Sequence, residues 1–371
     1  MSRPDVTFLL PALSGGGVER VFANLASGLA ARGSRVDVVL LSDPQPRQVT
    51  VPDGINVIDL RAPAPSDATF LLALPKLVRY LREARPKAIY AGITTINLLA
   101  LWAKERSGVD AKVILSEHVP VSVNARTHPL KRPLPALVRR HYPRADAVVA
   151  VSQDLAADLL ATCGLPRELV RVVYNPVVSP SLLADAALRP DHPWFDGPGP
   201  VVLGVGRLVE QKDFDTLLNA FAACGRPDAR LIVLGEGPDR AQLEATVARL
   251  GLVDRVALPG HVSKPAAYLG HADLFCLSSI YEGFPTVLIE ALACGCPVVS
   301  TDCPTGPREI LDGGAFGELV PLRDAAALGG AIGRALAETH DRDRLRQRGA
   351  TFTVEAATDV VLDLLTEIGA R

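Results

Sequence analysis

The chain has 371 residues, more than one ordinary domain takes, so two domains are expected. Apolar residues make up 48% and charged residues 22%, enough for real cores, and a formal net charge of −2 argues against a nucleic-acid binder held by bulk basicity. No uncharged apolar run of about 20 residues occurs, so no bilayer-spanning helix is expected.

The first buried strand is expected at VTFLLPA (6–12). Asp5 before it and a glycine loop after it fit a strand better than a signal peptide. The segment 14-SGGGVERVFANLASGLAARG-33 reads as that loop opening a helix. Gly15 and Gly17 give G-x-G, but Arg20 stands where a dinucleotide fingerprint needs its next glycine. No strand-end acid follows either, which weighs against a dehydrogenase. Short apolar runs then recur at 35–41, 55–60, 87–92, 112–117, 146–152 and 170–176, separated by helix-length segments. His118 follows KVILSE (112–117) at a strand end. It is either a structural histidine or a group that bonds a ligand hydroxyl or relays a proton.

Next comes 126-RTHPLKRPLPALVRRHYPR-144, with six Lys/Arg, two His and no acid, interleaved with Leu130, Leu134, Leu137 and Val138. Such a run is an ordinary solvated face or a patch that touches an anionic lipid leaflet. The stretch 176–200 carries six prolines and reads as a linker. Beyond it the rhythm resumes at 200–206, 229–237, 255–260, 272–278 and 296–301. Aliphatic runs of this length alternating with helices indicate parallel strands buried on both faces. Two doubly wound α/β domains follow, 1–178 and 179–371, with the final helix free to pack back on the first. In open sheets of this kind ligands bind at the strands' carboxyl ends, here in a central cleft between the two domains.

The six cysteines form no C-x-x-C pair and read as reduced core thiols of a cytoplasmic protein. Cys294, Cys296 and Cys303 cluster in sequence but lack a fourth ligand for zinc. Asp213 and Asp215 match D-x-D, yet stand where helix-start acids belong. No metal site is expected.

Chemistry-bearing residues concentrate in the second half. In 204-GVGRLVEQKDF-214, Arg207 and Lys212 follow a strand and two glycines, a pairing suited to a diphosphate. In 235-GEGP-238, Gly235 permits close backbone approach. In 281-YEGFPTVLIEALACGCPVVS-300, Pro285 suits a first helical position and Gly295 a stop, giving a helix over about 285–294. Its leading N–H groups, near Phe284 to Leu288 (Pro285 itself has none), point out of its N-terminus and are expected to bind ligand oxygens, which puts Phe284, Pro285, Thr286 and Val287 in the expected site. Glu282 falls in the loop before the helix and Glu290 in its second turn. A buried Glu290 needs hydrogen-bond donors, and a vicinal diol supplies two.

The E-x7-E spacing of Glu282 and Glu290 resembles the signature of the family 4 retaining glycosyltransferases, and nearly the whole chain can be read against that family. The resemblance implies a GT-B architecture of two Rossmann-like domains, the first binding acceptor and the second a nucleotide-sugar donor. It implies that Glu282 lies by the transferred sugar and Glu290 by the ribose, while Arg207 and Lys212 grip the diphosphate. Gly235 and the 260-GHV-262 loop, through Val262, fall near base and ribose. Gly16, Gly17, Glu19 and Arg20 match the family's glycine loop beside the diphosphate and acceptor, and His118 matches a histidine that contacts the sugar.

The expected activity is transfer of a hexosyl or N-acetylhexosaminyl unit from a UDP-sugar to a hydroxyl, with retention and without metal. The loop 300-STDCPTGPREIL-311 resembles that of enzymes building bacterial surface polysaccharides and lipid-linked oligosaccharides. There Thr305 and Gly306 are expected near the donor. This suits a cytoplasmic enzyme on the inner face of the membrane. A nucleotide-sugar 2-epimerase of the same architecture is the alternative. A glycoside hydrolase would need its carboxylate pair but neither Arg207 nor Lys212. Lys212→Ala is expected to lose most turnover with little loss of folding.

Overall fold

The computed structural model describes residues 3–13, 16–42, 49, 51–52, 54–62, 70–127 and 129–371. These separate into two compact units. One takes the chain as far as Pro176 together with Val354–Arg371, and the other takes Val177–Thr353. The break therefore falls after Pro176, two residues before the expected one. The terminal helix Val354–Glu367 belongs to the first unit, where it packs on helix Gly17–Ala31. Gly28 permits that approach, since a Cβ there would collide with the Thr358 hydroxyl.

Among the described residues the first unit holds a parallel sheet of seven strands. They are β1 (Val6–Leu10), β2 (Val36–Leu40), β3 (Asn56–Asp59), β4 (Ala88–Gly92), β5 (Lys112–Glu117), β6 (Ala147–Ala150) and β7 (Val170–Val172). Their order is β3-β2-β1-β4-β5-β6-β7. The second unit holds β8 (Val201–Val205), β9 (Arg230–Leu234), β10 (Val256–Gly260), β11 (Leu274–Leu277), β12 (Val298–Thr301) and β13 (Glu318–Val320). These are parallel too, in the order β10-β9-β8-β11-β12-β13.

Each run singled out in the sequence is a strand. The addition is β13, three residues on the sheet edge, too short and too exposed to produce a periodic signal.

Burial explains the uninterrupted apolar runs: every residue of β1, β4 and β6 is buried. Each such Val, Leu or Phe side chain contributes about 1.5–3 kcal/mol relative to exposure. Phe8, Phe22 and Tyr90 meet edge-on or tilted, with ring centroids 5.3–5.5 Å apart, and join the helix Gly17–Ala31 to β1 and β4.

The proline-rich stretch 176–200 is structured rather than a free linker. Ser179 caps a helix over Pro180–Ala186, its hydroxyl accepting from the Leu182 N–H at 3.2 Å. Asp185 pairs with Lys264 at 2.9 Å, and the Tyr268 hydroxyl donates to the Asp191 carbonyl at 2.9 Å. Those prolines sit at helix starts and turns, which explains how a loop-like composition packs.

Strand order reverses between β1 and β4 in the first sheet and between β8 and β11 in the second. At such a reversal the connecting loops diverge to opposite faces and leave room for a ligand at the strands' carboxyl ends. The loops after β1 and β8 carry Gly16–Gly17 and Gly206–Lys212. The loop after β11 carries Glu282, and His118 follows β5, the next strand beyond β4.

Candidate active site

In the second unit, three strand-end loops are laced together by backbone contacts that only glycine permits. Gly206 N–H donates to the Leu234 carbonyl at 3.0 Å, and Gly235 N–H to the Gly260 carbonyl at 2.9 Å. Gly235 has φ +140°, and a Cβ there would overlap the Gly206 carbonyl oxygen. Leu208 N–H donates to the Glu236 carbonyl at 2.9 Å, while Asp239 N–H returns to the Leu208 carbonyl at 3.0 Å. The loop bearing Arg207 and Lys212 is thus pinned on one flank to the loop after β9.

Its other flank is held by the loop after β11. Ile280 N–H donates to the Gln211 carbonyl at 2.8 Å, the Gln211 amide to the Tyr281 carbonyl at 2.9 Å, and the Ser278 hydroxyl to the Lys212 carbonyl at 2.7 Å. These bonds bring two expected site residues into contact: Lys212 Nζ lies 2.6 Å from Glu282 Oε1. The lysine stem crosses Gly206, where a Cβ would sit 3.2 Å from its side-chain carbons. Ser279 Oγ also donates to Glu282 Oε1, at 2.6 Å. Arg207 is exposed, and its positive charge acts on the neighbouring Tyr281 hydroxyl against the upward push of burial and of Glu282.

Thr305 and Gly306, expected near the donor, act as buttresses. The Thr305 hydroxyl donates to the Glu282 carbonyl, and Glu282 N–H donates to the Pro304 carbonyl at 3.3 Å. Gly306, at φ +98°, packs on Pro285 and Phe284, where a Cβ would lie 2.5 Å from Pro285 Cδ.

The helix runs Thr286–Ala293, with Pro285 one position ahead of it at the N-cap and Gly295 at φ +74° beyond its end. No side chain caps its start, so its leading N–H groups, at Thr286 and Val287, have no partner in the preceding turn. Residues Val287–Ala293 are all buried, Glu290 among them. Phe284 is buried, its ring 5.5 Å from that of Phe352. Val262 is half-buried just past β10, and Glu236 is an exposed partner of Arg240 at 2.5 Å.

The D-x-D acids have structural roles. Asp213, at φ +47°, caps helix Phe214–Ala223 through Thr216, and Asp215 accepts from Asn219 and Thr246. Among the described residues no three His, Cys, Asp or Glu side chains are grouped to hold a metal ion.

In the first unit, Gly16 and Gly17 are exposed at the start of helix Gly17–Ala31, and Glu19 folds back to accept the Gly16 N–H at 3.1 Å. Gly15, the other half of the G-x-G, lies outside the described residues. His118 is buried, its ring 5.6 Å from that of Phe22 on the same helix, with Nε2 3.0 Å from the Ser116 hydroxyl. Its Nδ1 is buried without a hydrogen-bond partner. Burial pushes its pKa down to about 3, so the imidazole is neutral near pH 7. A neutral imidazole in this position can hydrogen-bond a hydroxyl, the first of its two expected roles.

A buried polar network beside His118 was not anticipated. Glu117 accepts from Thr94 Oγ1 at 2.9 Å, from Asn97 Nδ2 at 3.1 Å and from the Tyr142 hydroxyl. Burial, opposed by those bonds, raises its pKa to about 7. Its signal in the sequence is the polar SEH closing an otherwise aliphatic strand. Just before Thr94, Ile93 holds φ +73°, a costly conformation for a β-branched residue, at the end of β4.

The basic stretch 126–144 is only partly a surface patch, and His128 within it lies outside the described residues. Leu134 and Val138 are core, Arg139 donates to the carbonyls of Cys163 and Thr162, and Arg144 pairs with Glu105 at 2.8 Å. Leu130 is 85% exposed, and Arg132 and Arg140 are exposed beyond it in sequence.

Two Rossmann-like units, each a parallel sheet whose strand order reverses once, have the GT-B architecture, and comparison with known proteins identifies the class as glycosyltransferase. The family described as "Glycosyltransferase Family 4" matches residues 15–179, and "Glycosyl transferases group 1" matches residues 188–352. The chain belongs to the family 4 glycosyltransferases and is a transferase enzyme. A relative from Campylobacter jejuni, N-acetylgalactosamine-N,N'-diacetylbacillosaminyl-diphospho-undecaprenol 4-alpha-N-acetylgalactosaminyltransferase, is 29% identical over 84% of each chain. Among solved structures, sucrose-phosphate synthase from Thermosynechococcus elongatus superposes with TM-score 0.82 at 24% identity, covering 98% of this chain and 99% of that one. Anabaena Alr3699/HepE in complex with UDP does so with TM-score 0.76 at 23% identity, covering 99% and 100%. Among the described residues no helix is long and apolar enough to cross a membrane.

Proposed function

We propose that the enzyme moves a hexosyl or N-acetylhexosaminyl unit from a UDP-sugar to a hydroxyl of a lipid-linked or surface-polysaccharide glycan, with retention at the anomeric carbon. The observation that carries this reading is the Lys212–Glu282 contact at 2.6 Å at the reversal of the second sheet. A cation for the diphosphate and a carboxylate for sugar hydroxyls there share one point, as a nucleotide diphosphate sugar requires. Arg207 adds an exposed guanidinium that stabilises the leaving diphosphate, and Glu290 receives the ribose diol. His118 in the first unit serves as a neutral hydrogen-bonding partner for a sugar hydroxyl. With two cations and a helix start available, the charge of the leaving group is neutralised without a metal ion. Activity retained in excess chelator is the expected outcome.

The printed names of the relatives support transfer over epimerisation, and UDP in a structural neighbour supports the choice of nucleotide. A lipid-linked acceptor suits the reading of 126–144 as a contact for anionic lipid on the cytoplasmic face of the membrane, carried by Leu130, Arg132 and Arg140. Flotation with phosphatidylglycerol vesicles tests that point, and equal partition into neutral vesicles removes it. The decisive experiment for the reaction is incubation with a panel of nucleotide sugars, scoring UDP or GDP release with and without lipid-phosphate acceptors. Acceptor-dependent UDP release is expected. Conversion of the nucleotide sugar to an epimer without acceptor would overturn the assignment.

A further inference from the structure

Glu282 is fixed more tightly than an acid that merely lines a loop. Its N–H is held by the Pro304 carbonyl at 3.3 Å, its carbonyl by the Thr305 hydroxyl, and its Oε1 by both Lys212 Nζ and Ser279 Oγ at 2.6 Å. Ser279 is itself immobilised, fully buried, with Thr301 Oγ1 donating to its carbonyl at 2.6 Å. Glu282 Oε2, by contrast, has no hydrogen bond among the described residues. A carboxylate with both oxygens free accepts a vicinal diol through two bonds, whereas one whose first oxygen is saturated offers only the second.

We propose that Ser279 is a positioning residue for the donor sugar. Together with Lys212 it saturates Oε1, locks the carboxylate plane and leaves Oε2 as the one oxygen directed at the donor sugar's hydroxyls. Lys212 alone cannot do this, because an ammonium ion is a point charge that a carboxylate can swing around or straddle with both oxygens. The serine hydroxyl removes that freedom. Rigid support of an acting group is worth most where a displacement of about 1 Å costs on the order of 100-fold in rate. This inference rests on the proposed function, since it assigns the sugar end of the nucleotide-sugar site.

The test uses the full chain with Ser279→Ala and Ser279→Cys. The two remove the strong donor while leaving different side-chain volumes. The probes are UDP, GDP and their hexose and N-acetylhexosamine esters. With the ester that the unmodified enzyme turns over, both variants should lose about tenfold or more in kcat, as expected for one charge-assisted hydrogen bond. Binding of the free nucleotide diphosphate should stay unchanged, and both variants should remain folded with a similar, modest fall in melting temperature from the lost buried hydrogen bond. Retention of kcat within twofold in Ser279→Cys overturns the proposal, because volume and not the hydroxyl then matters. A parallel fall in UDP or GDP affinity also overturns it, since Ser279 would then act through Lys212 and the phosphates. Failure of the unmodified enzyme to bind either nucleotide or release it from any ester refutes the functional reading itself, and this positioning role with it.

Discussion

Removing Lys212 tests both the chemistry and the architecture of the second unit. From sequence alone Lys212→Ala should cost little stability, as an exposed cation would. The structure reverses that expectation, because the Lys212 and Glu282 side chains are only 18% and 9% exposed. Stripping one partner from a buried pair costs about 3–5 kcal/mol, since the remaining charge is left desolvated. Here the Ser279 hydroxyl still holds Glu282 Oε1, and residual water access screens the carboxylate, which lowers the expected cost to roughly 2–3 kcal/mol.

A double-mutant cycle of Lys212→Met, Glu282→Gln and the pair isolates the coupling. The side-chain amide oxygen that Glu282→Gln introduces keeps the serine bond without the charge. The double variant should therefore recover most of what Lys212→Met loses, giving a coupling of about 2 kcal/mol. The two tryptophans, Trp102 and Trp194, fall one to each unit, which makes the assay local. In a Trp102→Phe background, denaturant unfolding followed by fluorescence reads Trp194, which sits beneath the Arg230 guanidinium in the second unit. A Lys212→Met variant within about 0.5 kcal/mol of its parent, with additive double-mutant behaviour, would refute the argument that this pair is a desolvated unit.

Three further outcomes follow from the geometry. Gly235→Ala should destabilise the second unit and weaken the proposed binding of UDP together, because its Cβ collides with the Gly206 carbonyl at a φ of +140°; a variant as stable as its parent would contradict the loop lacing. Glu117→Gln should change the pH dependence of the first unit's stability. The folded carboxyl titrates at about 7 against an ordinary 4.5, so its contribution is full below 4.5 and is lost as pH rises through 7. The variant should therefore gain up to roughly 3 kcal/mol on wild type between pH 4 and pH 8, read by Trp102 fluorescence in a Trp194→Phe background, and a flat difference would show that Glu117 does not titrate there. The buried thiols should resist alkylation under native conditions, since all six cysteines are buried and burial pushes the Cys163 and Cys294 thiols up to about 12; rapid labelling without denaturant would be inconsistent with that burial.

What the sequence disclosed and what it withheld divide along a physical line. Strands buried on both faces announce themselves as aliphatic runs. Arg207, Lys212 and Glu282 stand out as charges beside glycines at strand ends, and the structure places them on the loops after β8 and β11 with Lys212 against Glu282. Contacts made by backbone geometry left no comparable trace. The Lys212–Glu282 pair joins residues 70 apart, through loops held by carbonyls and glycines that any sequence with the same punctuation could supply. Thr305 illustrates the limit: the resemblance of its loop places it near a donor, but nothing in the sequence indicates that its hydroxyl donates to the Glu282 carbonyl. The Glu117 network was hidden for the opposite reason. An acid beside a histidine at a strand end draws attention to the histidine, while Thr94, Asn97 and Tyr142, which hold the acid, sit inside runs whose periodicity reports only packing. Polar residues that interrupt a buried run therefore carry information that pairwise motif spacing does not, and in both units they lie at or beside the strand ends where the order reverses. The same logic separates the two glutamates of the E-x7-E spacing. Glu282 is held on a loop, its Oε1 fixed by the Lys212 and Ser279 side chains, whereas Glu290 sits on the helix Thr286–Ala293, so substitution of Ser279 or Thr305 should disturb the Glu282 side of the proposed site more than the Glu290 side.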